Sequence, residues 1–327
     1  MERRKLPGTD REVSAIGLGT WVAGGAMWGG SDARLIGKTI EKALELGIDL
    51  IDTAPVYGFG RSEEIVGAWL DEAKVRDRVF LATKCGLAWD EAGRIRRDSS
   101  PARIRSDVEA SLSRLRTERL DLVQIHWPDP ATPIAASIEA LETLREEGKL
   151  LWYGVSNYSA AQLAEATAAG RPVVNQVPYN LFEREIEEDV LPTCRELDVG
   201  VFAYGAICRG LLSGKFRPET TFPEGDIRSS DPKFQPPRFA RYLAAVDRLR
   251  PMAYARNKSL THLAVRWLLD QPGVTAALWG ARSPSQIEQA AGATGWRLAP
   301  GELEGIDRIV REEVQAPIGP EFMAPPV

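Results

Sequence analysis

Cysteine and histidine are scarce in this chain, with three of the first and two of the second among 327 residues. Cys85, Cys194 and Cys208 are odd in number and far apart, so no disulfide framework is expected. His126 and His262 have no cysteine pair near them, which leaves no metal site of the zinc type. Long apolar runs are missing as well. None reaches the roughly 18 residues that mark a membrane span, and the opening MERRKLPGTD lacks the apolar stretch of a secretion signal. A cytoplasmic protein is expected, in which the glycosylation pattern Asn157-Tyr158-Ser159 has no meaning. There is no basic excess either. The net charge of -5 argues against a nucleic-acid surface. Two nucleotide-binding patterns are incomplete: Gly17-Leu18-Gly19 lacks the third glycine of a dinucleotide fingerprint, and Gly37-Lys38-Thr39 has Asp32 where a phosphate loop needs glycine.

What is present is a regular alternation of short apolar runs and helical patterns. After a hairpin over 2–15, strands are expected at 15–19, 48–52, 79–83, 120–126, 151–155, 173–176, 200–203 and 274–278. The helical patterns between them cover 32–46, 62–70, 101–115, 133–147, 159–168 and 187–197. Gly47 closes the first of these and Ser62 is the expected N-cap of the second. Helices at 238–256 and 259–270 follow the seventh strand, 284–291 follows the eighth, and 301–311 is extra. The Pro- and Gly-rich segment 212–237 after the seventh strand is too long for an ordinary connection and is expected to cover a site. Eight such units without a linker predict an α/β fold, a (β/α)8 TIM barrel with an N-terminal β-hairpin, forming one domain over 1–327.

A barrel of this kind places its chemistry at the carboxyl ends of its strands. Here those ends read Gly19-Thr20, Asp52, Lys84, His126, Ser156-Asn157, Gln176, Tyr204 and Gly280. With Tyr57 just beyond the second strand, a carboxylate, a phenol, an amine and an imidazole converge. That set can deliver a proton to a carbonyl oxygen, and the hydride of such a reduction must come from a cofactor. Tyr57 is the expected proton donor. A free phenol titrates near ~10, and the Lys84 ammonium beside it is expected to lower that value. Two units of lowering correspond to about 2.7 kcal/mol. Asp52 would hold Lys84 charged, and His126 would orient the carbonyl oxygen. His262, inside a helix pattern, is expected to be structural.

These residues stand in motifs that resemble the aldo-keto reductase superfamily over nearly the whole chain: IGLGTW, IDTAPVYGFGRSEEIVG, ATKCG, QIHWPDP, YGVSNYS, NQVPYNLFER, AYGAICRGLLSGK and WGARSPSQIEQ. GGAMWGG, HWPDP, CRGLLSGK, DPKFQPPRF and GPEFMAPP are similar to its bacterial general-stress branch. The resemblance implies an NADPH-dependent reductase of aldehydes and ketones with Asp52, Tyr57, Lys84 and His126 as its catalytic tetrad. It implies that Ser156, Asn157 and Gln176 hold the nicotinamide carboxamide, that Tyr204 stacks on the ring, and that Thr20 and Trp21 lie near it. Gly205, Ala206, Ile207, Cys208 and Arg209, with Lys215, would wrap the pyrophosphate. Gly280, Ala281, Arg282, Ser283, Pro284 and Gln286 would hold the adenosine phosphate, with Arg228 a further candidate. A guanidinium at a helix start suits a 2′-phosphate on physical grounds too. Gln289-Ala290 departs from the acidic residue and asparagine common in the superfamily, which bears on the adenine contacts. Trp21, Met27, Trp28, Tyr57, Trp89 and Trp127 would wall a pocket for a small carbonyl substrate. Two other readings are open: a Schiff-base aldolase using Lys84, and a cofactor-binding regulatory subunit, against which the lack of an extended N-terminal segment counts. The oligomeric state is not legible.

Overall fold

The computed structural model describes residues 1–25 and 27–326. Eight parallel strands close into a barrel: β1 Ile16–Gly19, β2 Leu50–Asp52, β3 Phe80–Cys85, β4 Leu120–Ile125, β5 Leu150–Ser156, β6 Val174–Pro178, β7 Gly200–Tyr204 and β8 Val274–Gly280, with β8 pairing β1. Both faces of each strand are covered, one by the barrel interior and one by helices, which is why the strands are apolar almost throughout. Helices α1 Ala33–Glu45, α2 Arg61–Ala73, α3 Pro101–Arg114, α4 Ile134–Glu146, α5 Ala160–Ala169 and α6 Val190–Glu196 alternate with the strands; α7 Ile227–Ser230, α8 Arg238–Tyr254 and α9 Leu260–Asp270 follow β7, and α10 Pro284–Glu288 and α11 Pro300–Glu313 follow β8. No described helix is long and apolar enough to cross a membrane.

The lower end of the barrel is stoppered. Strands Arg3–Lys5 and Glu12–Ser14 form the expected antiparallel hairpin. Its Leu6 and Val13 are fully buried against Leu50, Phe80, Leu122 and Phe202 inside the barrel. Each such side chain contributes about 1.5–3 kcal/mol of burial. The upper end is therefore the end left for chemistry.

Local departures from the expected elements have local causes. Gly60, at φ 99°, precedes α2, so Ser62 lies inside the helix rather than capping it. Its buried hydroxyl is hydrogen-bonded to Thr20 and Thr53 at 2.9 Å each. β3 runs on to Cys85, so Lys84 is a strand residue. A small hairpin, Leu87–Trp89 with Ile95–Arg97, was not expected, because three-residue strands carry too little alternation to detect. Segment 212–237 is not a bare loop. Asp226 caps α7, Asp231 caps a 3-10 turn at Pro232–Phe234, and Phe216, Phe222 and Phe234 pack edge to face. His262 is structural as expected: its Nδ1 accepts from the Ser259 amide, completing the cap of α9.

Candidate active site

Register sets the level of the site. Gly19 lies opposite both Gly280 and Asp52, and Lys84 lies opposite Gln124 on the next strand pair. The Asp52 and Lys84 side chains both turn into the barrel mouth and are almost wholly buried. The Lys84 ammonium donates to Asp52 Oδ2 at 2.7 Å, to the Thr53 carbonyl at 2.9 Å and to the Tyr57 hydroxyl at 3.3 Å. Its three N–H bonds are thus all directed, so the nitrogen lone pair an aldolase needs is not on offer. Asp52 Oδ1 accepts from Gln176 Nε2 at 2.8 Å and from Gln124 Nε2 at 3.4 Å.

Tyr57 is fixed from behind. Gly24 and Gly58 touch backbone to backbone, and a Cβ on either would overlap the other's chain. The Tyr57 ring stacks on Trp21 with centroids 6.0 Å apart and meets His126 edge to face at 5.8 Å. Both rings sit deep but keep a solvent-facing edge. Burial, with the Asp52 charge, pushes the Tyr57 phenol well above its ordinary range. This corrects the expectation that Lys84 lowers it. Asp52 offsets the ammonium charge at 2.7 Å, so desolvation decides the direction. Burial, opposed by Asp52, draws Lys84 below its usual range. Burial and the Lys84 charge hold His126 well below its own, as a neutral imidazole.

A second set of groups lies beside this chain. Ser156 Oγ donates to the Gln176 carbonyl at 2.8 Å, Asn157 Nδ2 to the His126 carbonyl at 2.9 Å, and the Tyr204 hydroxyl to Asn157 Oδ1 at 2.8 Å. Thr20 is buried, with its hydroxyl donating to the Asp52 carbonyl. Past β8, the Arg282 amide donates to Gln286 Oε1 and its guanidinium to the Trp28 carbonyl, each at 2.9 Å. The helix that follows, α10, has only five residues, so its dipole adds little to Arg282. Among the described residues Arg282 and Lys215 make no salt bridge. Arg228 does: it is paired with Asp226 and lies 4.6 Å from the Phe222 ring centroid. Arg209 places its side chain in a buried charge cluster with Glu183 and Asp231.

Trp28 packs edge-on against Trp21, 5.4 Å between centroids, next to Tyr57. Trp89 contacts Phe59 and Arg103, and Trp127 contacts Arg97. Met27 is half exposed, and its carbonyl accepts from the Ile227 amide. Gln124 was missed from the sequence. The signal was there: a polar residue two positions after the inward-facing Leu122 in LDLVQI must face inward too. No described cluster of His, Cys, Asp or Glu could hold a metal ion.

A (β/α)8 barrel with a buried Asp–Lys–Tyr chain at its mouth defines a reductase-like class of enzyme. Residues 15–311 match the Aldo/keto reductase family, and the chain belongs to it. It is 50% identical to the aldo-keto reductase YhdN of Bacillus subtilis, over all of this chain and 98% of that one. It is 32% identical to the NADH-specific methylglyoxal reductase of Escherichia coli, over 97% and 99% of the two chains. Among solved structures, the glycerol dehydrogenase AKR11B4 of Gluconobacter oxydans superposes with a TM-score of 0.90 at 50% identity, covering 98% of this chain and 99% of that one.

Proposed function

We propose that this protein reduces small aldehydes and ketones to alcohols in the cytoplasm, with NADPH preferred over NADH. The observation that carries the reading is the continuous hydrogen-bonded chain Asp52–Lys84–Tyr57, which ends on a phenol at the open mouth beside a neutral imidazole. A bound nicotinamide would supply hydride to the carbonyl carbon. The residues suit such an anionic cofactor: Ser156, Asn157, Gln176 and Tyr204 offer polar and aromatic groups near Tyr57, and Lys215 and Arg282 bring charges that form no salt bridge among the described residues.

The chain's own part is proton delivery. Lys84 donates to the Tyr57 oxygen, so the phenol O–H is left to point elsewhere, toward a carbonyl in the mouth. Because burial keeps the phenol protonated, the proton is in place throughout the neutral range. After transfer, the Lys84 ammonium stabilises the phenolate. The His126 ring, which has no hydrogen-bond partner among the described residues, supplies an N–H to the carbonyl oxygen. Methylglyoxal and glycerol in the names of the two relatives suggest short, polar carbonyls as first substrates, with aromatic aldehydes next. Detoxification of reactive aldehydes under stress is the proposed role.

The test is cofactor oxidation at 340 nm with a panel of such aldehydes, NADPH and NADH in parallel. Turnover is expected with NADPH, and no turnover of any small aldehyde with either cofactor sinks the reading. In the same assay Arg282→Ala should lower kcat/KM for NADPH by about 10–100-fold, the worth of hydrogen bonds to a charged group, and leave NADH nearly unchanged. An equal fall with both cofactors would remove Arg282 from the 2′-phosphate.

The pH dependence follows from the shifted groups. The imidazole ionises well below 6.5 and the phenol well above 10. The proton donor is therefore retained until pH rises through the elevated phenol range. We expect kcat for reduction at saturating substrates to be flat between pH 6.5 and 8.5. A break within that window would mean that a different group delivers the proton.

A further inference from the structure

Four buried charges lie beside the proposed cofactor site and take no part in the catalytic chain. Glu183 follows β6, Arg209 follows β7, and Asp231 and Lys233 belong to the long segment after it; none is more than 7% exposed. Arg209 donates to Glu183 and, at 2.5 Å, to Asp231 Oδ2. Lys233 Nζ lies 2.9 Å from Glu183 Oε1 and 3.5 Å from Asp231 Oδ1. The group is neutral in sum. The end of the chain completes it: Lys233 also donates to the Gly319 carbonyl at 3.2 Å, and the Phe322 ring lies 5.5 Å from the Arg209 guanidinium and 5.7 Å from Lys233. Three motifs without an assigned role, NLFER, DPKFQPPRF and GPEFMAPP, thus meet at one point.

The cluster holds both ends of one short backbone segment. At one end, Asn180 Nδ2 donates to Glu183 Oε2 at 2.6 Å and to the Gly205 carbonyl at 3.0 Å. At the other, Arg209 itself is the anchor. Cys208, Arg209 and Gly210 all have positive φ, at 47°, 52° and 93°, so this stretch takes a shape that side-chain-bearing residues rarely adopt unaided. Burying four charges is a poor way to gain stability, since well-packed apolar residues serve as well. What such a network does supply is one fixed geometry.

We propose that Glu183, Asp231 and Lys233 are positioning residues for the cofactor. Through Arg209 and Asn180 they clamp segment 205–209 in the form that receives the pyrophosphate, and the Gly319–Phe322 stretch is part of the clamp. The inference rests on the NADPH reading given above. Its test is cofactor affinity, followed by quenching of tryptophan fluorescence at 25 °C, together with kcat and Tm. Lys233→Met is expected to raise Kd at least tenfold through faster release, while kcat at saturating cofactor stays within threefold. Phe322→Ala keeps all four charges and should raise Kd threefold or more. Both variants should weaken NADPH and NADH alike, because the pyrophosphate is common to them, whereas Arg282→Ala weakens NADPH alone. Unchanged Kd in both variants, with only Tm lowered, overturns the clamp; if Lys233→Met does not fold, Phe322→Ala decides. A wild-type protein that binds neither nucleotide defeats the functional reading instead.

Discussion

Replacing Tyr57 by Phe should lower kcat for aldehyde reduction by 10²–10⁴-fold, about 2.7–5.4 kcal/mol of transition-state stabilisation. The substitution removes one oxygen. That oxygen accepts from Lys84 at 3.3 Å, the longest of the ammonium's three hydrogen bonds, so its loss leaves Lys84 held by Asp52 and Thr53. The ring contacts with Trp21 and His126 are kept. NADPH affinity and Tm should therefore stay close to those of the wild type. Steady-state rates at saturating substrate, with Kd from fluorescence, check both halves. A rate within tenfold of the wild type would make another group, His126 first, the acid.

Lys84→Met should damage both rate and fold. The phenolate formed at Tyr57 loses its charged donor, and removal of one donor of this kind costs about 10²–10³ in kcat. The Asp52 carboxylate, 2% exposed, is left among the described residues with only the Gln176 and Gln124 amides. Breaking a buried ion pair from one side costs about 3–5 kcal/mol, which for a chain of this size lowers Tm by about 4–7 °C. The double variant Asp52→Asn/Lys84→Met removes the orphaned charge as well. It should regain much of the stability and none of the activity. Thermal melts and rates on the three proteins separate the effects. A single variant as stable as the wild type would show that water reaches Asp52 and that the pair is not truly buried.

Much of this architecture was legible beforehand, and the reason is periodicity. Apolar runs of strand length alternate with helical stripes, and a right-handed crossover points every strand's end to one face. That is enough to bring Asp52, Lys84 and His126 together without any knowledge of distance. What local pattern does not supply is the partner a side chain finds in space. Ser62 looked like a cap because caps are local, but its partners are Thr20 and Thr53. Arg228, a further phosphate candidate in the sequence, is paired with Asp226 and packs on the Phe222 ring, neither of which a loop-like sequence displays. Trp89 and Trp127, expected in the pocket wall, also carry the guanidinium groups of Arg103 and Arg97 on their rings, contacts that only the folded chain reveals.

The direction of the Tyr57 shift marks the same boundary. The sequence by itself determined the barrel, the level of its mouth and the identity of four groups at it, because side-chain alternation and strand order are properties of local pattern. Only the tertiary structure decided their electrostatic state. Whether an ammonium lowers a neighbouring phenol depends on how far a carboxylate has offset it and how much water has been excluded, and both vary over a few ångströms. The buried cluster of Glu183, Arg209, Asp231 and Lys233 is the same case at longer range, since loop closure, rather than pattern, brings its members to one point.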